Sequence, residues 1–544
     1  MSYMINSCKS CGEEFEIFDE DMDFYKKISL VFSGEKFLIP PPTHCPDCRQ
    51  QRRVTWRNER NFYRRKCDKT GEMMVSVYDE EFPGKVFGFE AWWGDDWDPM
   101  DFGRDFDFER GFFDQFIEMS LDVPRPCIVN MSSENSMYTN HSAYNKNCYM
   151  CINTGYSEDL LYCSNYNLYN KDCTDCLAVH KCERCYFCVN TKESSFSKYL
   201  SECKGCTDCS FCFDCKSCQN CFGCFNLRSK EFCIYNEQYS KEEYEKKIIE
   251  VMPVTWKEYA EMSDKFRAVV SENAIFKSVE KENCKDSSGD HIWNNKNVKD
   301  SYYVFGSEDC RYCYDSAELK NCYDALEPFK GELQYETHGC NIGYGVKFCS
   351  KCYEDNDTIY SQYCWYCSDC FGCFGLRHKK FCIFNKQYTK EQYEELVPKI
   401  IAKMIKTGEW GEFFPSSYSP FAYNETTANE YYPLSREQVI KKGLRWKDDL
   451  DDVKEASGEG IIKCEVSGRP FRLVEKEKKF YEKMGLPLPG RHPDQRHLER
   501  MSLRNPRKLW ERECMECGKK VDSVFSPDRT EKVYCEKCYL ESVY

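Results

Sequence analysis

The sequence predicts a multi-domain, mainly β chain with short helices, in which duplicated cysteine-paired modules at the two ends flank a duplicated, irregular β-solenoid-like middle rich in cysteine. Three observations carry this expectation: a double Cys-x-x-Cys set near each end, self-similarity between the ends, and a central run in which cysteine recurs every third residue. With 544 residues the chain can bury a large core without staples, yet it holds 40 cysteines. Aromatic residues make up 16% of it, too many for a disordered chain despite a mean hydropathy of -0.71. Residues Met1 to Cys8 carry neither a basic nor an apolar leader pattern, and no run of about 18 apolar residues occurs. A cytoplasmic setting without a membrane partner is therefore expected. In that reducing compartment, paired cysteines mean metal or redox chemistry rather than disulfides.

The first module, residues 1–78, offers Cys8, Cys11, Cys45 and Cys48 as ligands. Each Cys-x-x-Cys pair lets a tight turn aim two thiolates at one ion, and two pairs complete a tetrahedron. Pro46 and Asp47 suit a first helical turn, so Cys45-Pro46-Asp47-Cys48 is expected to open a helix running through Arg57, with thiolates at its favourable end. Four cysteines leave no open position, which makes the expected ion structural rather than catalytic. Along that helix Arg49, Arg52, Arg53, Arg57 and Arg60 surround Trp56. Arginine with interleaved aromatics can grip phosphates and stack bases. The competing reading is that the arginines form salt bridges, the acidic connector at 79–130 being the nearest source of partners: residues 79–122 hold fourteen Asp and Glu against three Lys and Arg. Trp92, Trp93, Trp97, Phe112 and Phe116 of the connector read as packing anchors or, alternatively, as a binding patch.

Two repeats follow, 131–262 and 263–407. Cys215, Cys218, Cys221, Cys224 and Cys233 match Cys364, Cys367, Cys370, Cys373 and Cys382. A spacing of three fits neither a helix face nor the alternation of a strand. It fits the corners and short strands of a solenoid, with small buried cysteines and aromatics stacked inside and no constant coil length. Further metal knuckles, holding zinc or an iron–sulfur cluster, and disulfides are the alternatives. Each repeat closes on a capping box, Ser240 with Glu243 and Thr389 with Gln392, and so on a helix. A linker at 408–460, looser over 448–460, leads to the last module.

That module, 461–544, aligns with the first. Cys8-Lys9-Ser10-Cys11-Gly12 meets Cys464-Glu465-Val466-Ser467-Gly468, Cys45-Pro46-Asp47-Cys48 meets His492-Pro493-Asp494-Gln495, and Cys67 meets Cys514. The copies keep opposite sites. Cys514, Cys517, Cys535 and Cys538 stand where the first copy has Cys67, Thr70, Gly88 and Ala91, which suggests an ancestral two-site module whose copies each lost a different site. With 17 residues between its pairs, the Cys514–Cys538 set has zinc-ribbon spacing.

The end modules resemble zinc-ribbon and treble-clef proteins. Over nearly the whole chain, Cys-Pro-Asp-Cys-Arg at 45–49, Tyr423-Asn424-Glu425-Thr426 and Val533-Tyr534-Cys535-Glu536 resemble a cysteine-rich zinc-binding family of candidate-phyla bacteria. That resemblance implies zinc and a cytoplasmic setting and carries no catalytic residue across. No Ser-His-Asp set, phosphate loop or nucleotide fingerprint stands out. The expectation is thus a non-enzymatic factor with at least two structural zinc ions, binding RNA or a ribonucleoprotein through the basic helices. A protein–protein scaffold and a metal-cluster redox protein are the alternatives.

Overall fold

The computed structural model describes residues 3–450 and 460–544. Most of the looser linker expected at 448–460 lies outside the described residues. The described residues form twelve α-helices and many short strands, a mixed α/β chain. They fall into two compact units, each assembled from separated parts of the sequence: residues 3–127 with Lys281–Leu450, and Ile128–Glu280 with the described part of 451–544. Each unit therefore joins one end module to one cysteine-rich repeat, and the combination is crosswise. The N-terminal module sits with the second repeat, and the C-terminal module with the first.

Both repeats wind into stacked coils joined by parallel bridges. The usual offset between bridged residues is twelve, as in Lys192 to Lys204, Lys204 to Lys216 and Tyr353 to Trp365. One coil takes thirteen residues, from Glu158 to Lys171, and one takes eleven, from Lys285 to Lys296. The coil length is thus not strictly constant, as expected, yet it stays close to twelve because a single three-residue element is repeated four times per coil. In each triplet one residue points inward, the next bridges to the neighbouring coil, and the third turns a corner in the left-handed region. Corners such as Asn147, Asp175, Asp214 and Asn220 have φ of 57°, 54°, 47° and 50°. Asn and Asp tolerate this conformation best, which explains their abundance beside the cysteines.

The inward positions are filled mainly by thiols. Cys203, Cys206, Cys209, Cys212, Cys215, Cys218, Cys221 and Cys224 are all buried in one cluster. Each of these thiols donates to the carbonyl two residues before it, and most donate as well to the carbonyl nine residues after: Cys203 Sγ reaches Ser201 O and Cys212 O at 3.4 Å each. Sulfurs meet their neighbours three residues away and one coil away, as Cys206 meets Cys203, Cys209 and Cys218. A cysteine is small enough for four to fit across one coil, and its weak donor satisfies backbone oxygens that a Val or Ala would leave bare. The cysteines of both repeats are free thiols.

The open end of each stack is closed by the same device. Glu231–Ile234 and Lys380–Ile383 fold back into antiparallel pairs with Glu237–Gln238 and Lys386–Gln387. Helices Lys241–Val251 and Lys390–Thr407 follow, each with the expected capping box. A covered, reversed edge cannot extend by pairing with another chain. The connector's aromatics pack on the second stack: Trp92 lies 4.9 Å from Trp365, and Phe112 lies 5.3 Å from Phe384 and 5.6 Å from Phe371.

Candidate metal centres

Four β-hairpins in the end modules carry the same tight turn: Tyr3–Ser7 with Glu14–Phe18, Tyr63–Lys66 with Met73–Ser76, Ile461–Lys463 with Pro470–Arg472, and Trp510–Glu513 with Lys520–Ser523. In each, a cysteine accepts at its carbonyl from a glycine four residues on, and its N–H donates to the residue after that glycine. The pairs are Cys8 with Gly12 and Glu13, Cys67 with Gly71 and Glu72, Cys464 with Gly468 and Arg469, and Cys514 with Gly518 and Lys519. The four glycines have φ between 68° and 80°, which is why glycine stands there.

Two of these turns bring four sulfurs together. In Cys8, Cys11, Cys45 and Cys48, and in Cys514, Cys517, Cys535 and Cys538, all sulfurs lie within 4.8 Å of one another. The Cys11–Cys45 and Cys517–Cys535 sulfur separations are each 3.9 Å. Sulfurs about 2.3 Å from a central ion in a tetrahedron are about 3.8 Å apart, so both sets fit a four-coordinate ion. Cys45 and Cys535 are the N-cap residues of helices Pro46–Val54 and Glu536–Val543, so the third ligand of each set sits at the positive end of a helix. The Cys8 thiol is opposed by burial, but N–H groups of Cys11 and Cys45 bring it down to about 6. Cys514 is likewise brought to about 6 by N–H groups of Cys535 and Cys517. Cys45 is pushed up by the hydrogen bond it makes with Cys48, and Cys538 by that with Cys535.

The other two turns keep the backbone without the ligands. Cys67 Sγ still accepts from Thr70 N at 3.5 Å and Gly88 N at 3.3 Å, and Cys464 Sγ from Ser467 N at 3.5 Å. Gly88 and His492 take the N-cap places of Cys535 and Cys45. His492 uses Nδ1 to accept from Asp494 N at 3.1 Å, so it serves the helix end.

The arginines named as a nucleic-acid surface are not on the surface. Arg49, Arg52, Arg53, Trp56 and Arg57 are buried. Arg49 and Arg53 converge on Asp324 at 3.0 and 3.2 Å. Arg52 meets Glu336 and Glu412 at 2.7 Å each, and Arg53 meets Glu336 at 3.4 Å. Arg57 pairs with Glu59 and with Glu327, the latter at 2.6 Å, and Arg60 lies 4.0 Å from Glu430. Trp56 packs 5.5 Å from Phe414. Apart from Glu59 of the module itself, the acids come from the second stack and the following segment, not from the acidic connector. Burial opposes the ionised form of Glu412, but His44, Arg52 and Thr43 hold its carboxyl well below the usual range. Burial raises Glu336 against the pull of Arg52 and Arg53.

The second unit repeats the arrangement. Arg496 and Arg500, the counterparts of Arg49 and Arg53, converge on Asp175, with Arg500 at 2.6 Å. Asp324 and Tyr335 stand 149 residues after Asp175 and Tyr186, the same offset that separates the matched cysteines Cys215 and Cys364. Tyr25 lies 5.1 Å from Tyr335, and Tyr481 lies 5.4 Å from Tyr186. Sequence reasoning missed Asp175 and Asp324, two aspartates among many at coil corners. Their signal was the shared offset together with the paired arginines of each module.

No protein-family model matches the chain, and no curated protein matches it.

Proposed function

We propose that the chain is a non-enzymatic, cytoplasmic zinc protein that acts as a protein–protein scaffold. In this reading each four-cysteine set holds a structural zinc ion in a treble-clef or zinc-ribbon module, and the repeats are two copies of a β-solenoid. Four sulfurs at tetrahedral spacing with no oxygen ligand suit zinc, and they leave no position for a substrate or water. The observation that carries the scaffold reading is the fate of the arginines. Basic residues spent in buried ion pairs clamp each module onto its stack and are not available to phosphates.

The stack itself supplies a platform. Tyr144, Tyr156 and Tyr169 form an exposed row on the first stack, with ring centroids 4.8 and 5.2 Å apart and planes tilted by 14°. Their facing planes are used on one another, so a base cannot insert between them, while about half of each residue is exposed. Such a row suits a protein surface, where tyrosine is enriched.

The test uses the full-length chain. Fluorescence anisotropy with a mixed-sequence single-stranded RNA at 50 and 200 mM salt is expected to show no steep salt-dependent binding. A partner co-purified with the native chain is expected to be lost in the Tyr144→Ser/Tyr156→Ser/Tyr169→Ser variant at unchanged zinc content. Salt-steep RNA binding that survives this triple change would replace the scaffold by the RNA reading.

A further inference from the structure

Polar side chains at inward positions of the stacks satisfy backbone groups of the next coil, and asparagine does this in a fixed way. Asn145, Asn170 and Asn295 each accept at Oδ1 from the N–H twelve residues on, at 3.2, 2.8 and 2.8 Å. Each donates from Nδ2 to the carbonyl nine residues on, at 3.0, 2.9 and 2.8 Å. Asp355 occupies the same kind of position in the second stack. Its Oδ1 accepts from Cys367 N, twelve residues on, at 2.7 Å. Its Oδ2 falls where the asparagines place a donor, yet an ionised carboxylate has none to give to the carbonyl of Cys364. Oδ2 is buried with no hydrogen-bond partner, in a residue 1% exposed. A buried carboxylate oxygen without a partner is destabilising.

The surroundings of that carboxyl group are ligands. Cys352 Sγ, an Asp355 carboxylate oxygen and Cys364 Sγ lie within 4.8 Å of one another, and all three residues are buried. Among the described residues this is the one group of that closeness outside the two four-cysteine sets. Although the other inward cysteines touch along the coils, they do not converge in threes. Cys340 and Cys367 also bear on the carboxylate. The inward position one coil earlier is Gly343, which adds no side chain to this space.

We infer that Cys352, Asp355 and Cys364 form a third metal site inside the second stack, taking a borderline-soft divalent cation of the zinc class. Two sulfurs with one carboxylate match such an ion better than a hard, all-oxygen cation or a purely thiophilic one. On binding, the Cys352 and Cys364 thiols lose to solvent the protons they otherwise donate to backbone carbonyls, and Oδ2 gains the positive partner it lacks. Burial holds the carboxyl well above its ordinary range in the absence of an ion, so proton and metal compete for the same oxygen. The site is independent of the end modules and of the scaffold reading.

The test is zinc per chain in full-length protein purified without added metal, measured by elemental analysis for the wild type, Asp355→Asn, Cys11→Ser and Cys517→Ser. Asparagine fits the hydrogen-bond pattern of this position, so Asp355→Asn is expected to fold with unchanged or raised stability when metal-free. Three zinc ions in the wild type and two in Asp355→Asn are expected, with the thermal midpoint of zinc-loaded Asp355→Asn falling below that of zinc-loaded wild type. Loss of one ion in Cys11→Ser or Cys517→Ser reports on the end sites separately. Two ions in the wild type, or an equal count in wild type and Asp355→Asn, would overturn the third site and make Asp355 a neutral acid donating to the Cys364 carbonyl.

Discussion

Asp324 is the residue whose removal tests the architecture most sharply. Its two oxygens serve Arg49 and Arg53, all three side chains being at most 2% exposed. Asp324→Asn preserves shape and removes one charge, leaving Arg53 with Glu336 at 3.4 Å and taking from buried Arg49 the carboxylate it pairs with. Breaking a buried pair from one side costs about 3–5 kcal/mol. With a urea dependence of about 3 kcal/mol per molar for a unit of this size, the unfolding midpoint of the first unit should fall by about 1 M or more. Asp175→Asn should do the same to the second unit. As a control, Arg104→Ala breaks a partly exposed pair with Asp122 and should cost within about 0.5 kcal/mol. Urea titration followed by tryptophan fluorescence reads all three. A drop under about 0.2 M for Asp324→Asn would mean that the arginines are solvated, which would return them to the surface where nucleic acid could use them.

Other consequences follow from named groups. Lys351 is buried with its amine on Tyr363 Oη at 2.8 Å, and burial pushes it down to about 7. Between pH 7 and its unfolded value near about 10.4 the unfolded state binds the extra proton, so this lysine makes stability rise with pH in that window, with no slope from it below 7. Lys351→Met should flatten that rise and stabilise the first unit at pH 7 by up to about 4 kcal/mol, less about 1 kcal/mol for the lost hydrogen bond; an unchanged pH profile would refute the neutral amine. Cys284 is only half-buried and outside every metal group, so the zinc-loaded native protein should show one fast thiol toward a disulfide reagent, abolished by Cys284→Ser, and many fast thiols would mean that the stacks are open. Gly289 has φ of 134°, and a Cβ there would lie 1.8 Å from Ser301 O, so Gly289→Ala should cost about 4 kcal/mol or more. Gly339→Ala, at φ of 63° with open space around it, should cost only about 1–2 kcal/mol; equal thermal shifts would contradict the eleven-residue coil.

The cysteine tetrads were legible because a ligand pair with two residues between its members is a local signal, and so were the helix starts at Pro46, Ser240 and Thr389. The three-residue period showed that inward side chains recur at corners. The twelve-residue coil was also written in the sequence, since Cys203, Cys206, Cys209 and Cys212 return at Cys215, Cys218, Cys221 and Cys224. It was obscured by the thirteen- and eleven-residue coils, which shift the inward set by one. The destination of the arginines was not legible. Arg49 and Asp324 are 275 residues apart, and nothing local distinguishes an arginine bound for a buried carboxylate from one bound for a phosphate. Proximity in sequence pointed to the acidic connector, but aromatic burial ties that segment to the second stack, with its acids left facing outward as in the exposed Arg110–Glu118 pair.

The crosswise combination of modules and stacks raises the question of what prevents each module from seating on the stack nearer in sequence, since the Arg–Asp and Tyr–Tyr contacts are the same in both. The discriminating position is Arg52. Its counterpart in the C-terminal module is Glu499, which pairs with Arg491 at 2.9 Å. The acid that receives Arg52, Glu336, has Phe187 as its counterpart in the first stack. Arg500 there lies over that ring at 5.5 Å. An N-terminal module on the first stack would bury Arg52 against a phenyl ring with no acid, and a C-terminal module on the second would bring Glu499 toward Glu336. Both mismatches leave a buried charge unpaired or opposed, so specificity comes from the cost of the wrong pairing. Arg52→Glu gives the N-terminal module the other module's residue at this position and sets it beside Glu336 and Glu412. It should destabilise the first unit by more than about 4 kcal/mol. Adding Glu336→Phe, which copies the first stack, should recover more than half of that loss, because the mismatch and not the residue is what costs. If the double variant loses as much as the two single changes combined, read by urea midpoints of all four proteins, position 52 does not distinguish the stacks and the pairing must be set elsewhere.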